Sequence, residues 1–437
     1  MTEVAALRAW VEEERRAAAL RVRRVPLAAC RWWGLRDGEL RHDTGRYFQV
    51  VGTTFASSPT AWAQPLMRQM EIGLLAFLVR DGPTGFEWLL QAKTEPGNIG
   101  ETQLAPTVQA TRSNYERVHG GHPTRYLEWF LGDRSDEGRW VADTLASEQG
   151  TRFLHKLNRN ATVVLDRDDA PADGGAWRWT SVSALRAALS VAFLVNTDGR
   201  SVIVGTPWEL LADGGRPFAR WTGRADFLGS LTRSYAAATD VAPVLAELVA
   251  RREVARPLTV EVPLTDLPGW QLTTDGVAPR GAGSDGLSID CVEVALRGRE
   301  VESWCQPAMA VADVLTCELW CQERDGVLRF LFRLVAEPGL VNGVELGPTV
   351  QSDRTDDEPP PSTPRTTRVE VTQSDEGGRF LWSSCRYAVV EVPGDRPLEH
   401  RPDDVWLTLG QIEVLAAVDG TMTNEARSVV SLLLAHV

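Results

Sequence analysis

The feature that most constrains this 437-residue chain is that it repeats itself. Trp62, Gln64 and Pro65 return as Trp304, Gln306 and Pro307, an offset of 242 positions. The same offset carries Glu95-Pro96-Gly97 onto Glu337-Pro338-Gly339 and Pro106-Thr107-Val108-Gln109 onto Pro348-Thr349-Val350-Gln351. Further on the offset becomes 227, pairing Gly150 to Leu154 (GTRFL) with Gly377 to Leu381 (GGRFL), and Arg200-Ser201-Val202 with Arg427-Ser428-Val429. Matches sharing one offset define a tandem duplication. Short apolar runs broken by turn residues, with helical stretches between them, give each copy an α+β pattern. The expected layout is a helix over 3–24, a first copy over 25–235, a connecting helix over 236–256 and a second copy over 257–437.

The copies differ where chemistry would sit. In the first, two apolar runs, 71–80 and 86–93, flank the turn-forming DGPTG and predict a hairpin. Residues two apart on a strand share a face, so the second run presents Gln91 and Lys93 together. The chain then passes through EPGN into a polar stretch with Glu95, Gln109, Arg112, Asn114, Tyr115 and His119. In the second copy Val335 stands at the Lys93 position. There the polar stretch gives way to SDRTDDEPPPSTPRTTR, whose Pro-rich, charged composition predicts a mobile loop over 351–367. These differences assign the main site to residues 42–160, and a structural or dimer-forming role to the second copy.

Lysine usage sharpens that assignment. The chain has 46 basic residues, and only Lys93 and Lys156 are lysines. Where arginine serves almost every surface cation, a retained lysine marks a place for a compact ammonium whose pKa can move. Lys156 lies in SEQGTRFLHKLNRN (147–160), which also gathers Glu148 and Gln149 and the cations Arg152 and Arg159, which with Lys156 suit a phosphate-bearing ligand. Arg112, Tyr115 and His119 are spaced to share one helical face, as they would on a helix ending at Gly120-Gly121. A solvated amphipathic helix has the same spacing. His42 and Arg46 flank a Gly turn in HDTGRYF (42–48) and are candidate ligand contacts. Trp62 and Gln64 recur in both copies, which favours packing for Trp62 and leaves Gln64 able to reach a ligand.

Several classes are disfavoured. A net charge of -13 does not suit a nucleic-acid backbone. No apolar run approaches the roughly 18 residues of a membrane span, and the charged N-terminus is unlike a signal peptide, so the expected location is the cytoplasm. The six cysteines show no disulfide spacing, and no His lies between 156 and 399 to join Cys317 and Cys321 in a zinc set, so no metal is expected. GxGxxG, Walker and GxSxG motifs are missing.

The stretches QAKTEPGN, QLAPTVQATRSNY, VHGG, YLEWF, SEQGTRFL, NRN and WLTLGQ resemble the nucleotide-diphospho-hexose 2,3-dehydratases of deoxysugar biosynthesis, over nearly the full length. The resemblance implies two Nudix-hydrolase-like modules in a homodimer, with a substrate such as dTDP-4-keto-6-deoxyglucose. The acid-rich helix signature of active Nudix hydrolases does not occur here, and the second pocket reads as vestigial. The implied reaction needs no cofactor: a base removes the proton on C3, and the enolate expels the C2 hydroxyl. On this reading Glu95 or His119 is the base, Tyr115 the proton or oxyanion donor, Lys93 the group that polarises the ketone, and Arg112, Arg152 or Arg159 the diphosphate clamp. His42, Arg46, Trp62, Gln64, Gln109, Asn114, Gln149 and Lys156 are further candidate substrate contacts. An NADPH-dependent 3-ketoreductase is the implied downstream partner. A non-catalytic nucleotide-sugar binder and a Nudix-type hydrolase remain as alternatives.

Overall fold

The computed structural model describes residues 2–57, 60–83, 85–115, 123–255, 258–281, 286–297, 302–354, 364–396, 398 and 400–437. It is a mixed α+β structure in two repeated halves. The expected hairpin forms, with Gly73–Gly82 and Gly85–Thr94 antiparallel and Val79 opposite Trp88. It lies in a seven-stranded sheet ordered Arg139–Ser147, Leu157–Leu165, Gly73–Gly82, Gly85–Thr94, Trp177–Ser181, with Thr102–Ala105 and Val108–Ala110 added at its end. One pair, Gly73–Gly82 with Leu157–Leu165, is parallel. The second half repeats this sheet strand for strand, and its parallel pair is Leu315–Arg324 with Ser384–Val392.

Helices repeat as well, and their caps explain where they start. Ser181 and Thr408 accept from the backbone N–H groups of Ala184 and Gln411 to open Val182–Leu189 and Leu409–Ala416. Asn196 and Thr423 do the same for Thr197–Val204 and Asn424–Leu433. The last two helices are buried along their whole length and pack on each other between the halves. An arginine from each crosses to the other. Arg200, 0% exposed, donates to Ser431 Oγ at 3.1 Å and to the carbonyls of Val195 and Leu189, while Arg427 donates to Ser201 Oγ at 2.7 Å. Burial pushes the Arg200 pKa down to about 9. Such a buried cation is tolerable only because its donors are used.

The sequence layout changes in two places. The N-terminal helix runs Glu3–Ala18 and stops where Ala19 turns left-handed at φ 47°, so the end of the expected 3–24 helix is instead the strand Arg21–Arg24. The helix expected over 236–256 is Ala242–Ala255, and it packs on the second seven-stranded sheet. Two smaller sheets complete the fold, and both cross the repeat boundary. Arg21–Arg24 pairs with Leu287–Ala295 of the second half, and Leu258–Val262 pairs with Gln49–Ser57 of the first. Of the expected mobile loop, 355–363 lie outside the described residues, while Gln351 is in a strand and buried.

The exchange extends to the two repeated loops. Gly97 N–H donates to the Gly377 carbonyl and Gly339 N–H to that of Gly150, both at 2.8 Å. Trp382 N–H returns a bond to Gly97, and His155 N–H to Gly339, again at 2.8 Å. Gln64 and Gln306 brace these loops through the carbonyls of Thr151 and Gly378. Phe153 and Phe380 meet edge-on across the centre, 5.6 Å apart. There is no room for a side chain at the crossing, because a Cβ on Gly97 would lie 1.5 Å from the Phe380 carbonyl oxygen and one on Gly339 1.6 Å from that of Phe153. Gly97→Ala should therefore destabilise the whole chain by about 1–3 kcal/mol through overpacking, read as a lower thermal midpoint. An unchanged midpoint would show that the loops can part without cost.

Candidate active site

The strand Gly85–Thr94 sends Trp88, Leu90 and Ala92 into the main core. Alternation turns Leu89, Gln91 and Lys93 to the opposite, outer face, where Leu89 packs with Tyr126 and Trp129 and alongside Trp177. Lys93 thus leaves the strand beside an aromatic wall. Its Nζ lies 3.0 Å from Glu95 Oε1 and donates to the Gln109 carbonyl at 3.3 Å. The Gln109 amide donates to the same Glu95 oxygen at 3.2 Å, and Gln109 Oε1 accepts from Asn196 Nδ2 at 2.9 Å. Lys93 and Glu95 side chains are 14% and 7% exposed, so the pair is dry enough to be held in place and open enough to be reached.

Behind this pair is a buried charged cluster. Asn196 caps the helix that carries Asp198 in its first turn. Burial first, and then the negative charges of Glu148, Glu376 and Glu95, raise the Asp198 carboxyl well above its ordinary pKa. Glu148 is raised likewise by burial and by Glu376, and accepts from Asn158 Nδ2 and, at 3.2 Å, from Asn424 Nδ2. Lys156, 3% exposed, is brought down to about 8 by burial and the nearby Arg379, against the pull of Glu148, Glu71 and Asp198. Glu376, Arg379 and Asn424 come from the second half.

Lys156 donates to the Glu71 carbonyl, while the Glu71 carboxylate accepts from Ser113 N at 3.1 Å and Ser113 Oγ at 2.9 Å. Ser113 is in the one-turn helix Arg112–Tyr115. In that turn Arg112 and Asn114 are exposed and Tyr115 is partly buried. Arg159, whose charge interacts with Tyr115, is paired with Asp143 at 2.6 Å and sits over the Trp140 ring. His119 lies outside the described residues. Lys93, Glu95, Gln109, Lys156, Tyr115 and Arg159 are thus gathered around one end of the first sheet.

The other predicted residues are elsewhere. Arg152 is 2% exposed and forms an ion pair with Asp353 at 3.0 Å, and Gln149 donates to Asp375 at 3.3 Å, both in the equivalent cluster of the second half. Gln64 is committed to the Thr151 carbonyl, and Trp62 packs against Val51, Leu66 and Leu154. His42 bonds Thr44 at 2.9 Å and stands edge-on to Trp33 and Tyr47, with Arg46 exposed nearby. Glu71, Asn196, Asp198, Glu376 and Arg379 escaped the sequence reading, although the GTRFL/GGRFL match already paired Arg379 with Arg152. An open cavity of about 430 Å³ lies at the EPGN turn between Arg15 and Trp382, and Lys93 does not line it.

The second cluster keeps carboxylates and has no lysine. Glu337 occupies the Glu95 position, accepting from Gln351 at 3.3 Å, and Glu425 occupies that of Asp198. Burial pushes Glu337 and Glu345 up to about 7 and Asp375 up to about 6. Val335 and Ser383 replace Lys93 and Lys156.

The fold and site define a duplicated α+β chain with a lysine–carboxylate pair in its first half and a carboxylate-only counterpart in its second. The model of the NDP-hexose 2,3-dehydratase family matches it twice, over residues 4–205 and 242–433. The dTDP-4-dehydro-6-deoxy-alpha-D-glucopyranose 2,3-dehydratase of Streptomyces violaceoruber is 33% identical, the alignment taking in 99% of this chain and 97% of the relative. Proteins of the same name from Saccharopolyspora spinosa and Amycolatopsis orientalis are 32% and 31% identical, each over 97% of this chain and over 90% and 89% of their own lengths. The chain belongs to the NDP-hexose 2,3-dehydratase family.

The second cluster makes a pH prediction. A carboxyl whose folded pKa is raised stabilises the fold below its unfolded pKa, about 4.3, and that stability is lost as pH rises toward about 7. Glu345→Gln removes one such titration. Its thermal midpoint should therefore exceed that of the unsubstituted chain at pH 8, with the difference shrinking at pH 5. A constant difference across that range would show that Glu345 is ionised throughout.

Proposed function

We propose that this chain is a hydro-lyase acting on dTDP-4-keto-6-deoxy-D-glucose in deoxysugar biosynthesis, removing the C3 proton and the C2 hydroxyl. The observation that carries the reading is the Lys93–Glu95 pair, which sets an ammonium and a carboxylate 3.0 Å apart at the end of a buried strand. Membership of the family and the names of the relatives set the substrate class.

In this mechanism Lys93 and Tyr115 donate toward the C4 oxygen, where negative charge develops as C3 loses its proton to Glu95. One well-placed donor at such an oxygen is worth roughly 3 to 4 kcal/mol. Electrons of the C3–H bond form the C3=C4 enolate. The enolate then re-forms the ketone, makes a C2=C3 double bond and expels the C2 hydroxyl, which leaves as water after taking a proton from Tyr115 or from protonated Glu95. The C3 enol becomes a ketone as C2 gains a proton, giving a 3,4-diketo-2,6-dideoxyhexose still attached to its nucleotide. Arg112 and Arg159 hold the diphosphate, and the aromatic wall of Tyr126 and Trp177 borders the same face. His119 remains a candidate second base.

The same reading treats each half as a Nudix-hydrolase-like module and the protein as a cytoplasmic homodimer. A labile diketo product fits prompt reduction by an NADPH-dependent 3-ketoreductase. Incubation with dTDP-4-keto-6-deoxyglucose, a 3-ketoreductase and NADPH should yield a trapped 2-deoxysugar nucleotide. Lys93→Met should lower kcat by about 10²- to 10³-fold, the cost of one oxyanion donor, with little change in the affinity for dTDP. Retained turnover would remove Lys93 from the chemistry, and release of dTMP from the unsubstituted chain would point to a hydrolase instead.

A further inference from the structure

We infer that Arg379, from the second half, is a positioning residue for the first-half site, acting with Lys156 and Glu71 to hold the turn that bears Tyr115. The inference rests on the proposed role of that turn in the dehydration.

The contacts form a continuous chain. Arg379 lies against Glu376, donating to its Oε1 at 2.7 Å, and reaches out of the second half to Gln69 Oε1 at 2.5 Å. Gln69 is buried, two residues before Glu71. Lys156 holds the same short segment at its other end by donating to the Glu71 carbonyl. The Glu71 carboxylate then takes both the N–H and the hydroxyl of Ser113. Segment 69–71 is thus fixed at its two ends by cations, and it fixes in turn the helical turn of Arg112 and Tyr115. Beyond Gln69, Met70 is 70% exposed, so apolar packing contributes little to holding this segment. The charged contacts supply what packing does not.

Among the described residues the second half shows no equivalent clamp. Its counterpart of Arg379 is Arg152, which pairs with Asp353 inside the cluster, and its counterpart of Lys156 is Ser383, which accepts from Val311 N at 3.0 Å. The clamp therefore exists on the side that carries Lys93. It also explains why Lys156 is a lysine although it is deeply buried, since its ammonium caps a backbone carbonyl amid Glu148, Glu71, Asp198 and Arg379.

Two readouts test this on the full-length chain. Hydrogen exchange of amides 111–115 should quicken at least about tenfold in Arg379→Gln and stay close to the unsubstituted rate in Arg379→Lys, because freeing the Ser113 N–H opens the turn locally. With dTDP-4-keto-6-deoxyglucose, kcat of Arg379→Gln should fall about 10²-fold from the misplaced turn, with KM changed far less and lysine restoring much of the loss. Glu71→Gln, which weakens the clamp without touching the second half, should quicken the same amides. Unchanged exchange at 111–115 in both Arg379→Gln and Glu71→Gln would overturn the inference whatever the activity. So would a fall in kcat that follows the thermal midpoint and is not relieved by lysine. If the unsubstituted chain does not dehydrate the sugar, the exchange result still decides the clamp, and only the reaction assigned to the site fails.

Discussion

The structure depends on a backbone contact made twice: the glycine turn after each central hairpin is locked against a loop of the other half. Gly97 meets Gly377 and Gly339 meets Gly150, each at 2.8 Å. Approach this close requires glycine, and it brings with it everything anchored to those loops. On one side come Glu376 and Arg379, which reach the first-half cluster. On the other come Gln149 and Arg152, which serve the second. The edge strands Arg21–Arg24 and Leu258–Val262 are exchanged in the same sense, and the buried arginines Arg200 and Arg427 cross between the central helices. Neither half buries its charges alone.

From this symmetric frame, a few substitutions make one site unlike the other. Lysines at 93 and 156 face valine and serine at the equivalent positions. Lys93 pairs with Glu95 and Lys156 stands among the acids of the first cluster, whereas the second has arginines as its cations, and burial pushes its Glu337 and Glu345 up to about 7. A site that handles protons on a keto sugar needs both a base and donors for developing negative charge. The first cluster offers them in reach of the outer face.

Much of this was legible in the sequence. The duplication, the hairpin, the placement of Lys93 on one strand face and the asymmetry of the copies follow from offsets and alternation alone. What was not legible was which copy each loop serves. The GTRFL and GGRFL segments have the same local pattern whether they pack within their own half or cross to the other, and alignment of a repeat cannot tell an exchanged arrangement from an unexchanged one. Arg152 therefore read as a companion of Lys93, when its counterpart Arg379 takes that place. Glu71 escaped notice because it precedes an apolar strand, where a lone acid reads as a solvated residue. The helix expected over 3–24 ends early for a related reason: its last residues are an exchanged strand, and the partner that makes them a strand lies some 270 positions away in the chain.

The central claim is that the first-half site performs a 2,3-elimination on a nucleotide-linked 4-keto sugar. The most direct measurement is made in deuterated water, reading the sugar by NMR and mass spectrometry after the diketo product has been reduced. The account predicts one deuterium at C2 of a 2-deoxysugar, put there as the enol becomes the ketone, with none formed by Glu95→Gln. A sugar that keeps its C2 hydroxyl and its original C3 hydrogen would contradict it.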